Sequence, residues 1–446
     1  MRNEGESGSE RYSNLAIKYA KEFLGKIQTF PKVPVTSLDD FSVWYTPGVA
    51  AVSKEISKNK ELSFEMTWRW NSVAIVTDGT RVLGLGNVGP EAALPVMEGK
   101  GLIFKYLGGV DAIPIPVNVH DKEQIANIVR AIEPAFGGIN LEDIESPKCF
   151  YLLEKLRDSM SIPVWHDDQL GTAGATLAGL INALKITGRK ESDTKVVVVG
   201  SGAANIATVN LLSHADFNLK NIVMVDSHGI LHPEREDMDI LMKENPWKYD
   251  LALKTNGERR KGDIAEAMDG ADAVIAASKQ GPGVIKGEWV KKMEKRGIIF
   301  ALANPIPEIW PNEAKENGAE IVATGRSDFA NQVNNSLVFP GVFRGALDAR
   351  VTKINEKMIV EAARELANFA EEKGINDQYI IPTMEEWEVF PRVAAALAYA
   401  GVKENLARVK KSKEDFLTGA RDIIRNNREV IEKMIDQNLI RSVTRI

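Results

Sequence analysis

Apolar side chains recur at helical spacing across residues 13–27, where Leu15, Ile17, Tyr19, Phe23, Leu24 and Ile27 are interleaved with lysines, predicting an amphipathic helix. A loop rich in proline and threonine leads to Tyr45-Thr46-Pro47-Gly48-Val49, where Pro47 suits the first turn of a helix running through Lys54 and Ile56. Residues 73–76 read as a short strand closed by an Asp78-Gly79 turn, and 82–85 as a second strand. A further apolar extended piece, 112–117, carries prolines that limit ladder pairing.

From Lys195 the rhythm changes. Short apolar runs at 195–199, 222–225, 273–277, 298–302 and 320–323 alternate with helical stretches. Strands buried on both faces read as continuous apolar runs, and alternation with helices implies right-handed crossovers in a parallel sheet. Residues 169–334 are therefore expected to form a doubly wound, Rossmann-like α/β domain. Residues 1–168 are expected to form a mixed α/β domain, and 335–446 a helical segment packing back on it, with a mostly charged end at 410–441. No internal repeat is found, and 446 residues fit two domains better than one.

The composition, 44% hydrophobic and 26% charged, is that of a soluble globular protein. A net charge of -6 argues against a nucleic-acid surface, which needs a strongly basic face. Cys149 is the single cysteine, which excludes an intrachain disulfide and disfavours a cysteine-based zinc site. Beside Phe150 and Tyr151 it reads as a packed core residue. The start, 1–10, is polar and acidic, unlike a signal peptide, and no stretch approaches the ~18–20 apolar residues of a membrane helix. A cytoplasmic protein without nucleic-acid or membrane partners is expected.

Two glycine-rich loops compete for a dinucleotide. Gly84-Leu85-Gly86-Asn87-Val88-Gly89 matches G-x-G-x-x-G in full, whereas Gly200-Ser201-Gly202-Ala203-Ala204-Asn205 keeps only the first two glycines. Context favours the second. A phosphate-binding turn must leave a buried strand and open a helix whose N–H groups and dipole hold the pyrophosphate. Residues 195–199 supply that strand and 203–212 that helix, while Pro90 and Pro95 are expected to break any helix after Gly89. The loop 84–89 then reads as a tight turn, compatible with a glycine-lined wall near a substrate. Asn205, where glycine or alanine is usual, forgoes some close helix–strand packing. The strand 222–225 ends in Asp226, placed for a ribose contact. Its carboxylate favours NAD by repelling the 2′-phosphate of NADP, but Ser227 and His228 could rearrange around that phosphate, so both cofactors stay open.

Acidic residues gather in two places. His166-Asp167-Asp168-Gln169 follows a short apolar segment and leads into Gly171-Thr172-Ala173, a plausible site for a hard cation that prefers oxygen ligands. Taken alone, Asp-Asp is a solvated loop or a helix cap, and Glu142-Asp143 is a common helix-start pair. Their wider setting alters that reading. Tyr45-Thr46-Pro47-Gly48-Val49-Ala50, Thr77-Asp78-Gly79-Thr80 with Leu83-Gly84-Leu85-Gly86, and Met97-Glu98-Gly99-Lys100-Gly101 resemble the N-terminal motifs of malic enzymes. Asn140-Leu141-Glu142-Asp143, the 166–173 stretch, Ala303-Asn304-Pro305, and Asn334-Asn335 with Phe339-Pro340-Gly341 resemble later motifs of the same family, in the same order. The resemblance covers about 40–350 and is to the short prokaryotic form, without a phosphotransacetylase-like extension.

The resemblance implies a malate-to-pyruvate oxidative decarboxylase that uses NAD or NADP with Mg²⁺ or Mn²⁺, also decarboxylates oxaloacetate, and assembles as a homodimer or a dimer-based homo-oligomer. It makes Glu142, Asp143 and Asp168 the metal ligands, and Lys100 and Tyr45 the acid–base pair, with Asp167 beside Lys100. Asn304, Asn334 and Asn335 would hold the substrate, and Thr172 and Ser278 would line the cofactor with the 200–205 loop and Asn304. Arg81 matches an arginine that contacts the malate carboxylate in longer members, whereas short ones often have a small residue there. As a residue alone, Arg81 reads as a surface arginine after a turn. Leu170 replaces a histidine common in short forms, at a position that is not a ligand. The chemistry suits these residue types: a lysine acts as base if burial or a neighbouring positive charge lowers its pKa, and a tyrosine can protonate C3. The alternatives are another two-domain dehydrogenase, a non-catalytic NAD sensor, and an oxaloacetate decarboxylase without redox work.

Overall fold

Two largely parallel sheets organise the chain. The computed structural model describes residues 8–441 and 443; most of the polar start, 1–7, lies outside the described residues. The first sheet contains β1 (Ser72–Thr77), β2 (Asp111–Pro116), β3 (Gly138–Leu141) and β4 (Val164–His166) in the order β2-β1-β3-β4, with every pairing parallel. The domain expected only as mixed α/β is thus a parallel sheet with crossover helices. β2 is an edge strand, so Pro114 and Pro116 sit opposite Ile75 and Thr77 without breaking the register.

The second sheet contains β5 (Val196–Val199), β6 (Ile222–Asp226), β7 (Gly229–Ile230), β8 (Ala273–Ala276), β9 (Gly297–Ala301) and β10 (Ala319–Thr324). Their order is β10-β9-β8-β5-β6-β7, parallel apart from the short antiparallel edge β7. All five apolar runs of the sequence became strands. The chain leaves β5 towards β6 and later returns to its other side with β8. That reversal opens a crevice at the carboxyl ends of β5 and β8, where doubly wound sheets bind ligands.

Four local expectations fail. The first helix spans Gly8–Phe23 instead of 13–27, because Leu24 and Gly25 take φ of 57° and 114° and end it. The helix after Pro47 starts at Val49. Residues 82–85 form no strand: Leu83 at φ 47° and Gly86 at φ 79° reverse the chain, leaving a single bridge between Val82 and Gly86. A helix does follow Gly89, spanning Pro90–Gly108. Pro90 sits at its first position, where no N–H partner is needed, and Pro95 forgoes a bond to the carbonyl of exposed Glu91, which water can take. The proline argument against the 84–89 loop therefore falls, although the reading of 200–205 rests on independent ground.

Helices Phe339–Asp348, Glu356–Lys373, Val389–Lys403 and Lys413–Asp436 pack on one another and on the helices Pro90–Gly108 and Asp167–Thr187. Among the described residues no helix is long and apolar enough to cross a membrane. Arg344 fastens the C-terminal helices to the first sheet. Its guanidinium is fully buried, pairs with Asp348 at 2.8 Å and donates to Asn71 Oδ1; Asn71 in turn donates to Gly109 O at 2.9 Å. Breaking a buried pair strands the remaining charge, so Arg344→Ala is expected to cost about 3–5 kcal/mol in urea unfolding. A loss below about 1 kcal/mol, the scale of an exposed pair, would refute this role.

Candidate active site

Strand register brings the acids together. Leu141 on β3 pairs with His166 on β4, so Glu142-Asp143 and Asp167-Asp168, the next residues of each strand, emerge side by side at the carboxyl ends. One carboxylate oxygen from each of Glu142, Asp143 and Asp168 lies within 4.8 Å of the others. Asp143 holds a left-handed φ of 53°, which aspartate tolerates better than most residues, and its N–H donates to Asp168 Oδ2 at 3.0 Å. The 78–81 turn braces this geometry. Arg81 N–H donates to Asp143 O at 3.0 Å, and Glu145 N–H donates to Thr80 Oγ1 at 3.1 Å.

Burial pushes the pKa of Glu142 well above the usual range and that of Asp143 up to about 7; the neighbouring acids add to this and Lys100 only partly offsets it. Two buried atoms here, Asp143 Oδ2 and His166 Nε2, have no hydrogen-bond partner. Burial also lowers the His166 pKa and so favours a neutral ring, with Nε2 3.6 Å from Asp168 Oδ2. Repelling oxygen donors with an unused lone pair suit a hard divalent cation such as Mg²⁺ or Mn²⁺.

Lys100 reaches the cluster from the helix Pro90–Gly108. Its Nζ lies 3.1 Å from Glu142 Oε1, is ion-paired with Asp167, and sits 4.6 Å from the centre of the Phe339 ring. Asp167 is fully buried and accepts from Trp165 Nε1 at 2.9 Å. Gly171 makes room for it, since a Cβ there would lie 2.1 Å from Asp167 Oδ1. Burial works against the Lys100 ammonium, yet Asp167, Glu142 and Asp168 outweigh it and hold its pKa above the ordinary value. The lowering that a base requires depends on a positive charge beside the lysine, which a bound cation would supply.

The remaining predicted residues divide. Asn335 packs beside Gly171, its Cβ 2.8 Å from where a Cβ would stand. Asn334 uses its side chain to cap the next turn, accepting from Ser336 N–H at 2.9 Å. Asn304 lies on the exposed loop after β9, against Gly325. A Cβ on Gly84 would lie 2.0 Å from Gln280 Nε2 and 3.5 Å from Asn304 O, so this glycine lets the 84–89 loop meet the loops of the second sheet. Arg81 contributes through its main chain, while its Nη1 folds onto Leu83 O at 3.3 Å. Tyr45 stands 70% exposed at the end of the helix Leu38–Trp44, and among the described residues no hydrogen bond or ion pair joins it to Lys100 or the acids.

The second glycine loop occupies the crevice. Gly200, at φ 100°, follows β5, and Gly202 precedes the helix Ala203–Ser213, whose first N–H groups have no side-chain cap. A Cβ on Gly202 would meet nothing, leaving space for a close ligand. Free N–H groups, two glycines and that space fit a pyrophosphate. Ser201, Ala203 and Ala204 are partly exposed along this loop, as is Thr172 near the start of the helix Asp167–Thr187. Asn205 strengthens the turn instead of loosening it, donating to Val199 O at 2.8 Å and Gly200 O at 3.1 Å. Glu308, which the sequence reading missed, is buried and clasps two loops. It accepts from Ser278 N–H at 2.8 Å, Ser278 Oγ at 3.1 Å and Ala303 N–H at 3.0 Å. Burial raises its pKa despite these bonds. A lone acid within the apolar run Ile306-Pro307-Glu308-Ile309 was the available signal.

The sequence profile of the malic enzyme N-terminal domain matches residues 24–127, and that of the malic enzyme NAD binding domain matches residues 170–402. The chain belongs to the malic enzyme family. The NAD-dependent malic enzyme of Geobacillus stearothermophilus is 48% identical over 384 residues, covering 86% of this chain and 78% of that protein. The bifunctional malic/malolactic enzyme of Bacillus subtilis is 46% identical over 408 residues, covering 92% and 97%. A crystal structure of the Entamoeba histolytica malic enzyme superposes with a TM-score of 0.94 at 44% identity, covering 97% of this chain and 90% of that one. The expectation drawn from the motifs holds for the fold and the reaction, oxidative decarboxylation of malate with a nicotinamide cofactor.

Proposed function

We propose that Glu142, Asp143 and Asp168 hold the divalent cation and (S)-malate for this reaction, with Lys100 as its base. The observation that carries the reading is the convergence of three acids from two adjacent strand ends upon one point, within reach of one lysine. A bound cation supplies Lewis-acid polarisation at the C2 oxygen and stabilises the charge left when carbon dioxide departs. NAD(P)⁺, its pyrophosphate held by the 200–205 loop, would supply the hydride acceptor for C2, so malate and NAD(P)⁺ give pyruvate, carbon dioxide and NAD(P)H. With a cation neutralising Glu142, Lys100 would release its ammonium proton to solvent and then, as the free amine, accept the C2 hydroxyl proton, while Asp167, fixed by Trp165, keeps it aimed. Tyr45 returns a proton to C3. Asn335 and Asn304 orient the carboxylates of the substrate; Arg81 and Asn334 contribute through the main chain and a cap. In this reading residues 1–168 and 335–446 build the substrate side and 169–334 the cofactor side; the same site also decarboxylates oxaloacetate.

Tyr45 bears on assembly. It stands on an arm whose Leu38, Phe41, Val43, Trp44, Val49 and Val52 are all exposed. Such a patch on a soluble enzyme is covered by another protein surface. We infer a homodimer in which that arm lies on a second copy and delivers Tyr45 to its site. The cytoplasm is the compartment this chemistry suits. The reaction is tested by incubating the protein with malate, NAD(P)⁺ and Mn²⁺. Reduced nicotinamide and pyruvate should form together, stop after EDTA and resume when Mn²⁺ is restored. Turnover that EDTA leaves untouched would refute the metal role.

A further inference from the structure

Asn140 is out of place by its polarity. It lies on β3 between Ile75 of β1 and Trp165 of β4, all three fully buried, so an amide interrupts an otherwise apolar row. Its Oδ1 is buried without a hydrogen-bond partner, a cost to the fold that an aliphatic side chain would not carry. Its Nδ2 is in use and donates to Glu142 Oε2 at 2.9 Å. A carboxylate can accept only from the amide nitrogen, which fixes this orientation of the side chain. Residues two apart on a strand share a face, and that spacing brings the amide to the acid. Trp165, opposite Asn140, serves Asp167 by the same two-residue step, its Nε1 donating to Oδ1 at 2.9 Å. Lys100 holds both acids, 3.1 Å from Glu142 Oε1 and ion-paired with Asp167.

We propose that Asn140 is a positioning residue for the Glu142 carboxylate: by holding Oε2 it turns Oε1 towards Lys100 and keeps the acid aimed at the cation site. This rests on the reading of Glu142, Asp143 and Asp168 as the cation's ligands. Glu142 is longer by a methylene than the two aspartates and has more rotamers to lose on being fixed. Asp168 is steadied by the main chain, its Oδ2 accepting from Asp143 N–H at 3.0 Å, and Asn140 gives Glu142 the equivalent restraint from a side chain. Asn140 and Trp165 thereby divide the work, one aiming a ligand of the ion and the other the partner of the base.

The test is titration of the metal-free protein with Mn²⁺, followed by the electron paramagnetic resonance of the free ion, beside titration with NAD⁺ and urea unfolding. Asn140→Leu should raise the Mn²⁺ Kd about ten- to a hundredfold, the range for losing the partner of a metal ligand. NAD⁺ affinity should change less than about twofold, and the urea midpoint should hardly move, because the orphan oxygen leaves together with the bond to Glu142. With Glu142→Ala already in place, Asn140→Leu should add less than about twofold to the Mn²⁺ Kd, since no carboxylate is left to hold. A Mn²⁺ Kd within about twofold of wild type in Asn140→Leu overturns the proposal, as does an undiminished loss in the Glu142→Ala background, which marks a merely structural role. Asn140→Ala, which only removes atoms, answers the same questions should leucine prevent folding. Wild type that binds no Mn²⁺ removes the metal reading and the proposal with it.

Discussion

Lys100→Ala is expected to lower kcat by about 10³- to 10⁴-fold, the upper range for a general base, while leaving the protein folded. The lysine is only 11% exposed and its loss leaves Asp167 and Glu142 without the cation they pair with, so some stability is lost too and kcat is read on the Mn²⁺-loaded, folded fraction. Initial rates of nicotinamide reduction measure the effect, and an unchanged kcat refutes the assigned base. Tyr45→Phe should be similarly inactive by this assay. Mixed one to one and allowed to exchange, the two inactive variants should recover about a quarter of wild-type activity, because about half of random dimers are mixed and each carries one intact shared site. No recovery would mean that Tyr45 serves its own subunit.

The second large effect is the stabilisation given by metal. At a hundred times its Kd, Mn²⁺ should add about 2.7 kcal/mol, a rise of a few degrees in Tm. Its pH dependence has a definite sign. Burial lifts Asp143 to about 7, above its unfolded value, so without metal its contribution is fully present at low pH and is lost as pH rises through about 7. A metal ion needs the ionised form, so the Mn²⁺-induced rise should be larger at pH 8 than at pH 6. In Asp168→Asn the Mn²⁺ effect should vanish while the metal-free Tm at pH 8 is unchanged or higher, since one repelling charge beside Asp143 is gone. An undiminished Mn²⁺ shift in that variant excludes Asp168 as a ligand.

The second sheet was legible in the sequence because each strand is a continuous apolar run flanked by helical spacing. Only half of the first was: 73–76 and 112–117 announced β1 and β2, whereas β3 reads Gly-Ile-Asn-Leu and β4 spans only Val164–His166, both too short to carry a period. The helix Pro90–Gly108 hid behind Pro95, whose cost falls on a carbonyl at an exposed turn. The acids could be named from their motifs, but their meeting depends on the pairing of Leu141 with His166, a register that no local pattern states. Asp226 was legible at the end of a strand, but its ion pairs were not, because Arg235 and Lys248 reach it from outside any fingerprint. Glu308 shows the converse: a visible anomaly whose purpose lies in loops joined only by the fold.

The helix Asp167–Thr187 opens with the partner of Lys100 and one acid of the cation cluster, and its body packs against the helix of the second glycine loop. In the proposed site the substrate side and the cofactor loop are thereby joined through one helix, whose tilt would set the distance between them. A Cβ on Gly179 would lie 3.2 Å from the Phe300 ring, so this glycine lets the helix rest closely on the second sheet. Tilting it there would misalign the transfer without altering a single ligand.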